Sequence, residues 1–412
     1  MVVLAAGLYL AWKVVCHRAD VLLILEGISC PQVLKQPPLP HILLFLVVFA
    51  GLAAFSSDIK ASLFHYYQMA TLLGTFLMMV CLRQLPPQHR RTRLVVHALL
   101  LGDVADAVYG LYQVHTMGHL RVTGFSTNYV FYGCLLVQAI LLAAALLLET
   151  RSPLRRAAYA GVVCLCIIAL VCSQARGAWI SLALSFPVVV YLSRRQFTRD
   201  TRDRKWVWIY LGALTVLALS LSPLYFDHLM TLFNPKWQAN WERMLIWGST
   251  LRMIHDHPWT GVGAGQFAAI YNSHYISPAS VERYHPHAHN SFLQILSEDG
   301  IIGFAASIYL LYGIVLFLRN ALRETPSSPY VIGSVGMFCA LFVASLVDYL
   351  LFSGYVRPEW VLWLMLGLVY YDRPTASSSS ASAVSSASAV SSGPRNDDSK
   401  MGQTDGLIEK TV

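Results

Sequence analysis

The chain has 412 residues, of which 56% are hydrophobic and 13% are charged, and its formal net charge is +8. The apolar residues form long runs, and this composition excludes a soluble globular protein. The basic residues cluster in short segments between the runs, so membrane topology explains the positive charge and no nucleic-acid partner is predicted. The sequence therefore predicts an all-α polytopic membrane protein with membrane lipids around it.

The order of apolar runs and basic segments predicts the topology. The positive-inside rule assigns four basic segments to the cytoplasm, at residues 83–93, 150–156, 193–205 and 319–324. An even number of crossings must then lie between each pair. The predicted helices are at residues 42–56, 62–82, 94–114, 127–149, 157–173, 178–192, 206–222, 291–317, 330–352 and 356–371. One or two more fall within residues 1–30, which gives eleven or twelve transmembrane helices.

This topology divides the chain into four parts. Residues 1–222 hold the N-terminal transmembrane helices, and residues 223–290 form one large extracytoplasmic segment. Residues 291–372 hold the C-terminal transmembrane helices. Residues 373–412 are rich in Ser and Ala, and they are predicted to form a disordered cytoplasmic tail.

The extracytoplasmic segment contains two recognisable patterns. One is a helical repeat of apolar side chains that predicts an amphipathic helix on or under the bilayer surface: Trp241, Met244, Leu245, Trp247 and Leu251. The other is a glycine-rich stretch, GVGAGQF, at residues 261–267. Its glycines predict a tight turn, and as a lone pattern they are only a weak signal for a phosphate-binding loop.

Arginines and histidines gather on the extracytoplasmic side. They are Arg121, Arg176, Arg243, Arg252 and Arg283 with His285, His287 and His289. Guanidinium groups bind phosphate oxygens through paired hydrogen bonds and stay charged, so these residues predict an anionic substrate such as a pyrophosphate-linked lipid. The alternative for each arginine is an interfacial side chain that snorkels to the headgroups.

No metal and no cofactor are predicted. Carboxylates on this side are scattered, and Asp103 with Asp106 forms a close acidic pair in a membrane segment. Pro278 and Pro286 predict an extended approach to a helix that begins near Asn290 or Ser291. Zinc binding by the histidines is disfavoured, because alternate residues of an extended strand point to opposite faces.

Several of these residues together match the motifs of a known family. The motifs are Arg243 and Trp247, His257 and Pro258, Gly263 and Gly265, His289 and Asn290 with Leu293, and EDGIIG from Glu298. Over about residues 90–320 the chain resembles the O-antigen ligase and polymerase superfamily of bacterial inner-membrane proteins. SQARGAW resembles the family's Ser-Arg-Gly turn, and RVTGFSTN resembles its Arg-x-x-Gly segment. The usual Asn-Pro-Asn is missing, since Asn128 stands alone.

The resemblance implies a C-type glycosyltransferase-like fold and an O-antigen ligase with its active site at the periplasmic face. The implied donor is O-antigen on undecaprenyl pyrophosphate, and the implied acceptor is a sugar hydroxyl of the lipid A core. His289 would be the general base, Arg176 and Arg243 would bind the pyrophosphate, and a single displacement would invert the anomeric centre. The other substrate-binding candidates are Arg121, His287, His285, Asn290, Trp247 and Arg252.

Alternative functions stay open at this point. O-antigen or exopolysaccharide polymerases and protein O-oligosaccharyltransferases share the His-Asn block, although a single large outer loop favours the ligase. A secondary transporter would fit the helix count and a proton-coupled histidine. Transporters, however, bind substrates near the bilayer midplane between related halves, and this sequence has no internal repeat.

Overall fold

The computed structural model describes residues 35–82, 89–118, 121–197, 230–231, 234, 237–354 and 356–372. Every regular element in these ranges is helical. The described residues all belong to one unit, which extends to Asp372. The predicted helices within residues 1–30 and 206–222, and the predicted tail, lie outside the described residues.

The helices bear out the all-α membrane prediction. In chain order they are α1 (Leu39–Leu52), α2 (Ile59–Leu82), α3 (His89–Met117), α4 (Tyr129–Glu149), α5 (Pro153–Ser173), α6 (Arg176–Phe197), α7 (Gln238–Asp256), α8 (Phe267–Ile270), α9 (Ser291–Glu324), α10 (Pro329–Ala344) and α11 (Arg357–Asp372). Five segments among them are long and apolar enough to cross a membrane: Arg91–Thr116, Tyr129–Glu149, Pro153–Ser173, Arg176–Arg194 and Ser291–Glu324. The chain is therefore an all-α polytopic membrane protein.

Helix α4 lies at the centre of the bundle. It is apolar on every face, as expected of a helix surrounded by other helices, and it packs against α5, α6 and α10. Small side chains allow this close approach, as membrane helix packing requires. A Cβ atom added at Gly133 would come within 2.7 Å of the Cβ of Ala175, just before α6. This packing fixes the start of α6, where Arg176 lies.

The predicted helix at residues 330–352 is wrong over its last eight residues, 345–352. Helix α10 ends at Ala344, and the chain continues to Val356 without a helix. The buried carboxylate of Glu359 stabilises this irregular connection, because it accepts hydrogen bonds from the backbone N–H groups of Phe352 (2.7 Å), Ser353 (3.2 Å) and Gly354 (3.3 Å). Non-helical backbone is tolerated inside a membrane protein when other protein groups form hydrogen bonds with its N–H and C=O groups.

The glycine-rich stretch is a tight turn that docks on a kink in α9. Gly300 interrupts the helical backbone with φ 61° and ψ −165°. At this kink the N–H of Gly263 donates to the carbonyl of Glu298 (2.7 Å), and the N–H of Ile301 donates to the carbonyl of Pro258 (2.8 Å). A Cβ atom at Gly261 or Gly300 would collide with the opposing backbone. These contacts support the turn, and they use the N–H of Gly263 that a phosphate loop would need.

The predicted helix is confirmed as α7, and the apolar Trp241, Met244 and Leu251 are exposed on it. Its buried side is mixed, with Ile246 and Met253 beside the polar Glu242, Ser249 and Thr250. This arrangement is suited to a helix at the bilayer surface, and that location stays a prediction.

Candidate active site

The segment that leads into α9 is held by the side chain of Asn290. Its Oδ1 accepts hydrogen bonds from the N–H groups of Phe292 (2.9 Å) and Leu293 (3.1 Å), which makes Asn290 the N-cap of α9. Its Nδ2 donates to the carbonyl of Leu346 (2.9 Å) in the α10–α11 connection. The predicted start of the helix is confirmed, and both the oxygen and the nitrogen of the Asn290 amide bond to the backbone.

Ser291 joins the same two segments. Its N–H donates to the carbonyl of Ser345 (2.9 Å), and its Oγ accepts from the N–H groups of Leu350 (3.0 Å) and Leu351 (3.1 Å). Residues 346–349 lie between Ser345 and Leu350, so the connection turns around the serine. Asp348 lies in this turn.

The carboxylate of Asp348 faces the imidazole of His289 at the centre of this arrangement. Oδ1 of Asp348 lies 3.5 Å from Nδ1 of His289. Burial would by itself raise the pKa of Asp348, but the neighbouring His289 and His287 and the N–H of Tyr349 (2.8 Å) lower it to about 2. Asp348 is therefore a carboxylate at neutral pH. Its partner His289 has a left-handed backbone, with φ 50°, a conformation that is often found at functional positions.

Sequence reasoning missed Asp348. It falls within the apolar run of residues 330–352, which predicts a plain membrane helix. An ionisable residue within such a run is itself a signal of a functional site, so a usable signal was present.

His287 lies against His289. The two ring centroids are 4.3 Å apart, and Nδ1 of His287 accepts a hydrogen bond from the backbone N–H of His289 (3.3 Å). Burial lowers the pKa of His287 to about 4, and the nearby His289 adds to this effect, so His287 is neutral at pH 7. The expectation that alternate histidines point to opposite faces is wrong for this pair, because the left-handed turn at His289 replaces an extended strand.

This turn also creates a group of potential metal ligands. One atom each of His287, His289 and Asp348 lie within 4.8 Å of one another, close enough to hold an ion. The predicted independence from metal therefore stays a prediction, and it is tested by experiment below.

Three arginines and Asp348 line a single pocket. Arg121 comes from the α3–α4 connection, Arg176 is the first residue of α6, and Arg243 lies on α7. Arg121 lies over the ring of Tyr129, with its guanidinium carbon 5.0 Å from the ring centroid. Among the described residues, no carboxylate lies within ion-pair distance of these three arginines. The pocket thus carries three guanidinium groups and one carboxylate, which suits an anion of more than one negative charge.

The comparisons with known proteins identify a family that the chain resembles. The model of the family described as O-antigen ligase matches residues 160–308, a range that includes Arg176, Arg243 and His289. The resemblance to the O-antigen ligase superfamily is confirmed.

A relative of the same superfamily is known from Acinetobacter baylyi. The chain is 25% identical over 232 residues to a general O-oligosaccharyltransferase of that organism. The match covers 53% of this chain and 39% of the relative, so the chain spans about two fifths of the relative's length.

His285 and Trp247, two further candidates for substrate binding, form contacts with other protein groups. His285 is 1% exposed, and its Nε2 lies 3.2 Å from Oγ of Ser280 and 3.9 Å from a carboxylate oxygen of Glu242. Trp247 donates its indole N–H to the carbonyl of Ala288 (3.0 Å). These contacts favour a positioning role for both side chains, in which α7 holds the histidine-containing loop.

Glu242 is the main anchor of that loop on α7. Its buried carboxylate accepts hydrogen bonds from Oγ of Ser280 (2.5 Å) and from the N–H of Val281 (2.7 Å). Burial would raise the pKa of Glu242, but these donors and the nearby His285 lower it. The carboxylate therefore stays charged and keeps the loop attached to the helix that carries Arg243.

Arg252 lies apart from the arginine pocket. It lines an open cleft with Tyr275 and Asp256 at the far end of α7, and its Nη2 donates to Oγ of Ser249 (2.8 Å). Nine residues separate it from Arg243, which corresponds to roughly 13.5 Å along the axis and to the opposite side of the helix. A contact of Arg252 with the substrate would thus have to involve a part remote from the pyrophosphate.

Proposed function

We propose that this chain is an O-antigen ligase. It transfers O-antigen from undecaprenyl pyrophosphate to a sugar hydroxyl of the lipid A core at the periplasmic face of the bacterial inner membrane. The observation that carries this proposal is that Asp348 both lines the arginine pocket and pairs with His289 (3.5 Å), so an anion site and a base are adjacent. The family match supports the transfer of a glycan. The donor and acceptor proposed here are those that the resemblance implies.

The arginine pocket receives the pyrophosphate. Arg176 and Arg243 bind its oxygens, and Arg121 adds a third positive charge from the α3–α4 connection. When the bond between the anomeric carbon and the pyrophosphate oxygen breaks, negative charge develops on the leaving group. Guanidinium groups that are already in position stabilise this charge without reorganisation, so neither an acid nor a metal ion is needed for departure.

His289 accepts the proton of the acceptor hydroxyl. Asp348 faces Nδ1 of His289, so it favours the tautomer with hydrogen on Nδ1 and leaves the lone pair of Nε2 for the acceptor. The acceptor oxygen forms a bond to the anomeric carbon as the pyrophosphate leaves, and its proton moves to Nε2. The Asp348 carboxylate then stabilises the imidazolium. One displacement of this kind inverts the anomeric configuration.

A protein O-oligosaccharyltransferase is the second candidate. The Acinetobacter baylyi relative carries this name, and transfer to a Ser or Thr hydroxyl would use the same base and the same anion pocket. A polymerase would also use them, with a sugar of a second lipid-linked glycan as acceptor. The chemistry at His289 is common to the three, so only the acceptor distinguishes them.

The acceptor can be identified by deleting the gene in a strain that makes polymerised O-antigen. For a ligase, we expect long glycan to accumulate on the lipid carrier and to disappear from the lipid A core, and the wild-type gene should restore it. Accumulation of single repeats would indicate a polymerase instead. Unchanged lipopolysaccharide with loss of glycosylated proteins would indicate an oligosaccharyltransferase. Uptake of a radiolabelled anion into proteoliposomes, without transfer in any assay, would indicate a transporter.

A further inference from the structure

A second cavity lies in the side of the bundle, between α2, α3, α4 and α11. Most of its lining is apolar and includes Leu99, Leu135 and Leu364. Three ionisable side chains line it as well: Asp103, Asp106 and Arg357. Ionisable groups in an apolar groove of a membrane protein are costly, so they indicate a function or a charged partner. We refer to this cavity as the lateral groove.

Asp106 has protein partners. Its Oδ1 accepts a hydrogen bond from the N–H of Phe125 (2.5 Å), and it interacts favourably with the charge of Arg357. Gly124 allows this contact, because a Cβ atom there would collide with the same oxygen. Asp106 thereby fixes the α3–α4 connection that carries Arg121, and this structural role accounts for it.

Asp103 has no such partner. It is half-buried, and it lies one turn from Asp106 on the same face of α3. Among the described residues, no donor forms a hydrogen bond with its carboxylate. A carboxylate in apolar surroundings needs either a proton or a cation beside it. The lateral groove is a cavity beside Asp103, and the cationic group of a ligand can enter it.

Exposed aromatic residues indicate the depth of the groove. Tyr109 and Tyr112 on α3 are 38% and 58% exposed, and Tyr109 stacks on the exposed Phe125 with ring centroids 4.5 Å apart. Exposed Tyr residues of this kind concentrate at the headgroup level of a bilayer. Asp106 and Asp103 are three and six residues before Tyr109, which is roughly 4.5 and 9 Å along the helix. Both carboxylates therefore lie within roughly 9 Å of the level of these rings along α3.

We propose that the lateral groove binds an aminophospholipid, that is, a phospholipid whose headgroup ends in a primary ammonium. Its phosphate pairs with Arg357, its ammonium donates to Asp103, and its acyl chains cover the apolar walls. An anionic phospholipid fits less well, because two carboxylates face one guanidinium in this groove. The pyrophosphate donor is excluded for the same reason, and its charge matches the arginine pocket instead. The proposal is independent of the glycan that the protein transfers.

The first test needs only the wild-type protein. The purified full chain is exchanged into micelles with equal amounts of phosphatidylethanolamine, phosphatidylcholine and phosphatidylglycerol, and retained lipid is identified by native mass spectrometry. We expect phosphatidylethanolamine to be retained at least about tenfold over both others. Phosphatidylcholine has a quaternary ammonium without N–H donors, and phosphatidylglycerol has no cation. Equal retention of the three lipids would overturn the proposal.

Variants then test the assigned contacts. Asp103→Asn and Arg357→Gln should each abolish the preference, whereas Asp103→Glu should keep it because it keeps the charge. Arg194→Gln is the matched control, since Arg194 is exposed near the opposite end of α6 from Arg176. Gel filtration and thermal unfolding show whether each variant is folded. If folded Asp103→Asn prefers phosphatidylethanolamine as strongly as the wild type does, Asp103 is not the partner of the ammonium and the proposal is wrong.

Discussion

Oδ1 of Asp348 lies 3.5 Å from Nδ1 of His289, although His289 precedes α9 and Asp348 follows α10. The two residues that follow His289 hold this contact in place. Asn290 donates to the carbonyl of Leu346, and Ser291 bonds to Ser345, Leu350 and Leu351. One short sequence, His-Asn-Ser, therefore supplies both the imidazole and the anchors that bring the carboxylate to it.

The first prediction concerns this pair. Asp348→Asn keeps the shape of the side chain but removes the charge that orients and stabilises His289. We expect the rate of glycan transfer to fall at least about a hundredfold, since general bases contribute typically 10²–10⁴-fold. Binding of the lipid-linked donor should change little, because the arginines remain. Transfer by the purified variant and its affinity for the donor are the two measurements.

His289→Ala and the double variant are the controls for this prediction. His289→Ala should abolish transfer, and His289→Ala with Asp348→Asn should be no slower than His289→Ala alone, because the two residues act as one unit. Losses that multiply in the double variant would mean that Asp348 acts through another group. Near-wild-type transfer by His289→Ala would exclude this histidine as the base.

Much of this arrangement could be predicted from the sequence. Apolar runs and basic segments predicted the membrane helices, and Pro286 with Asn290 predicted where α9 begins. The motifs also singled out Arg121, Arg176 and Arg243, which line one pocket.

Other features depend on contacts between segments that are distant in the chain. The helix at residues 330–352 was predicted too long, because apolarity alone does not reveal that Glu359 binds the backbone of Phe352, Ser353 and Gly354. For the same reason Asp348 was missed. The orientation of His287 also depends on one left-handed residue, His289, which a strand pattern cannot show.

The second prediction concerns pH. Burial lowers the pKa of His287 to about 4 from its ordinary value of 6.5. Between pH 6.5 and 4 the unfolded chain therefore binds a proton that the folded chain does not, so stability falls as the pH decreases through this window. His287→Gln removes this contribution. When the pH is lowered from 7 to 4, both proteins lose stability. The free energy of unfolding of His287→Gln should decrease by up to about 3 kcal/mol less than that of the wild type.

Thermal unfolding in detergent at steps from pH 7 to pH 4 measures this difference. The exposed His274→Gln is the control and should follow the wild type. Parallel curves for the wild type and His287→Gln would mean that His287 takes up a proton in the folded protein.

The third prediction concerns the turn that docks on α9. Gly300 has φ 61°, and a Cβ atom there would collide with the backbone of Trp259. Gly300→Ala should therefore destabilise the protein by at least about 2 kcal/mol, from left-handed strain and overpacking together. Gly248→Ala is the control, because Gly248 lies in α7 with no atom within 4 Å of an added Cβ. Thermal unfolding should show a loss only for Gly300→Ala.

The fourth prediction concerns metal. If Arg121, Arg176 and Arg243 neutralise the leaving pyrophosphate, transfer should continue at the wild-type rate in excess EDTA. Added Zn²⁺ should inhibit, since it would bind His287, His289 and Asp348 and block the base. Elemental analysis of the purified protein accompanies the assay. Loss of activity in EDTA that Zn²⁺ or Mg²⁺ restores would make the three ligands a metal site and overturn the role of His289 as base.

The last prediction concerns the two arginines that are proposed to bind the pyrophosphate. Arg176→Lys and Arg243→Lys keep the positive charge but lose the planar group that binds two oxygens at once. Charge on the leaving group is best stabilised by donors that are fixed beforehand, and an ammonium on a flexible chain is less well fixed. Each variant should therefore lose at least about tenfold in rate, which is about 1.4 kcal/mol of transition-state stabilisation.

Arg194→Lys is the matched control for both variants, because it makes the same change on α6 far from the pocket. It should keep the wild-type rate, with all proteins compared at equal expression. An interfacial role predicts a different result, since Lys satisfies the headgroups and the positive-inside rule as well as Arg does. If Arg176→Lys and Arg243→Lys both match Arg194→Lys, these residues contribute only charge. Recognition of the pyrophosphate by paired hydrogen bonds would then be wrong.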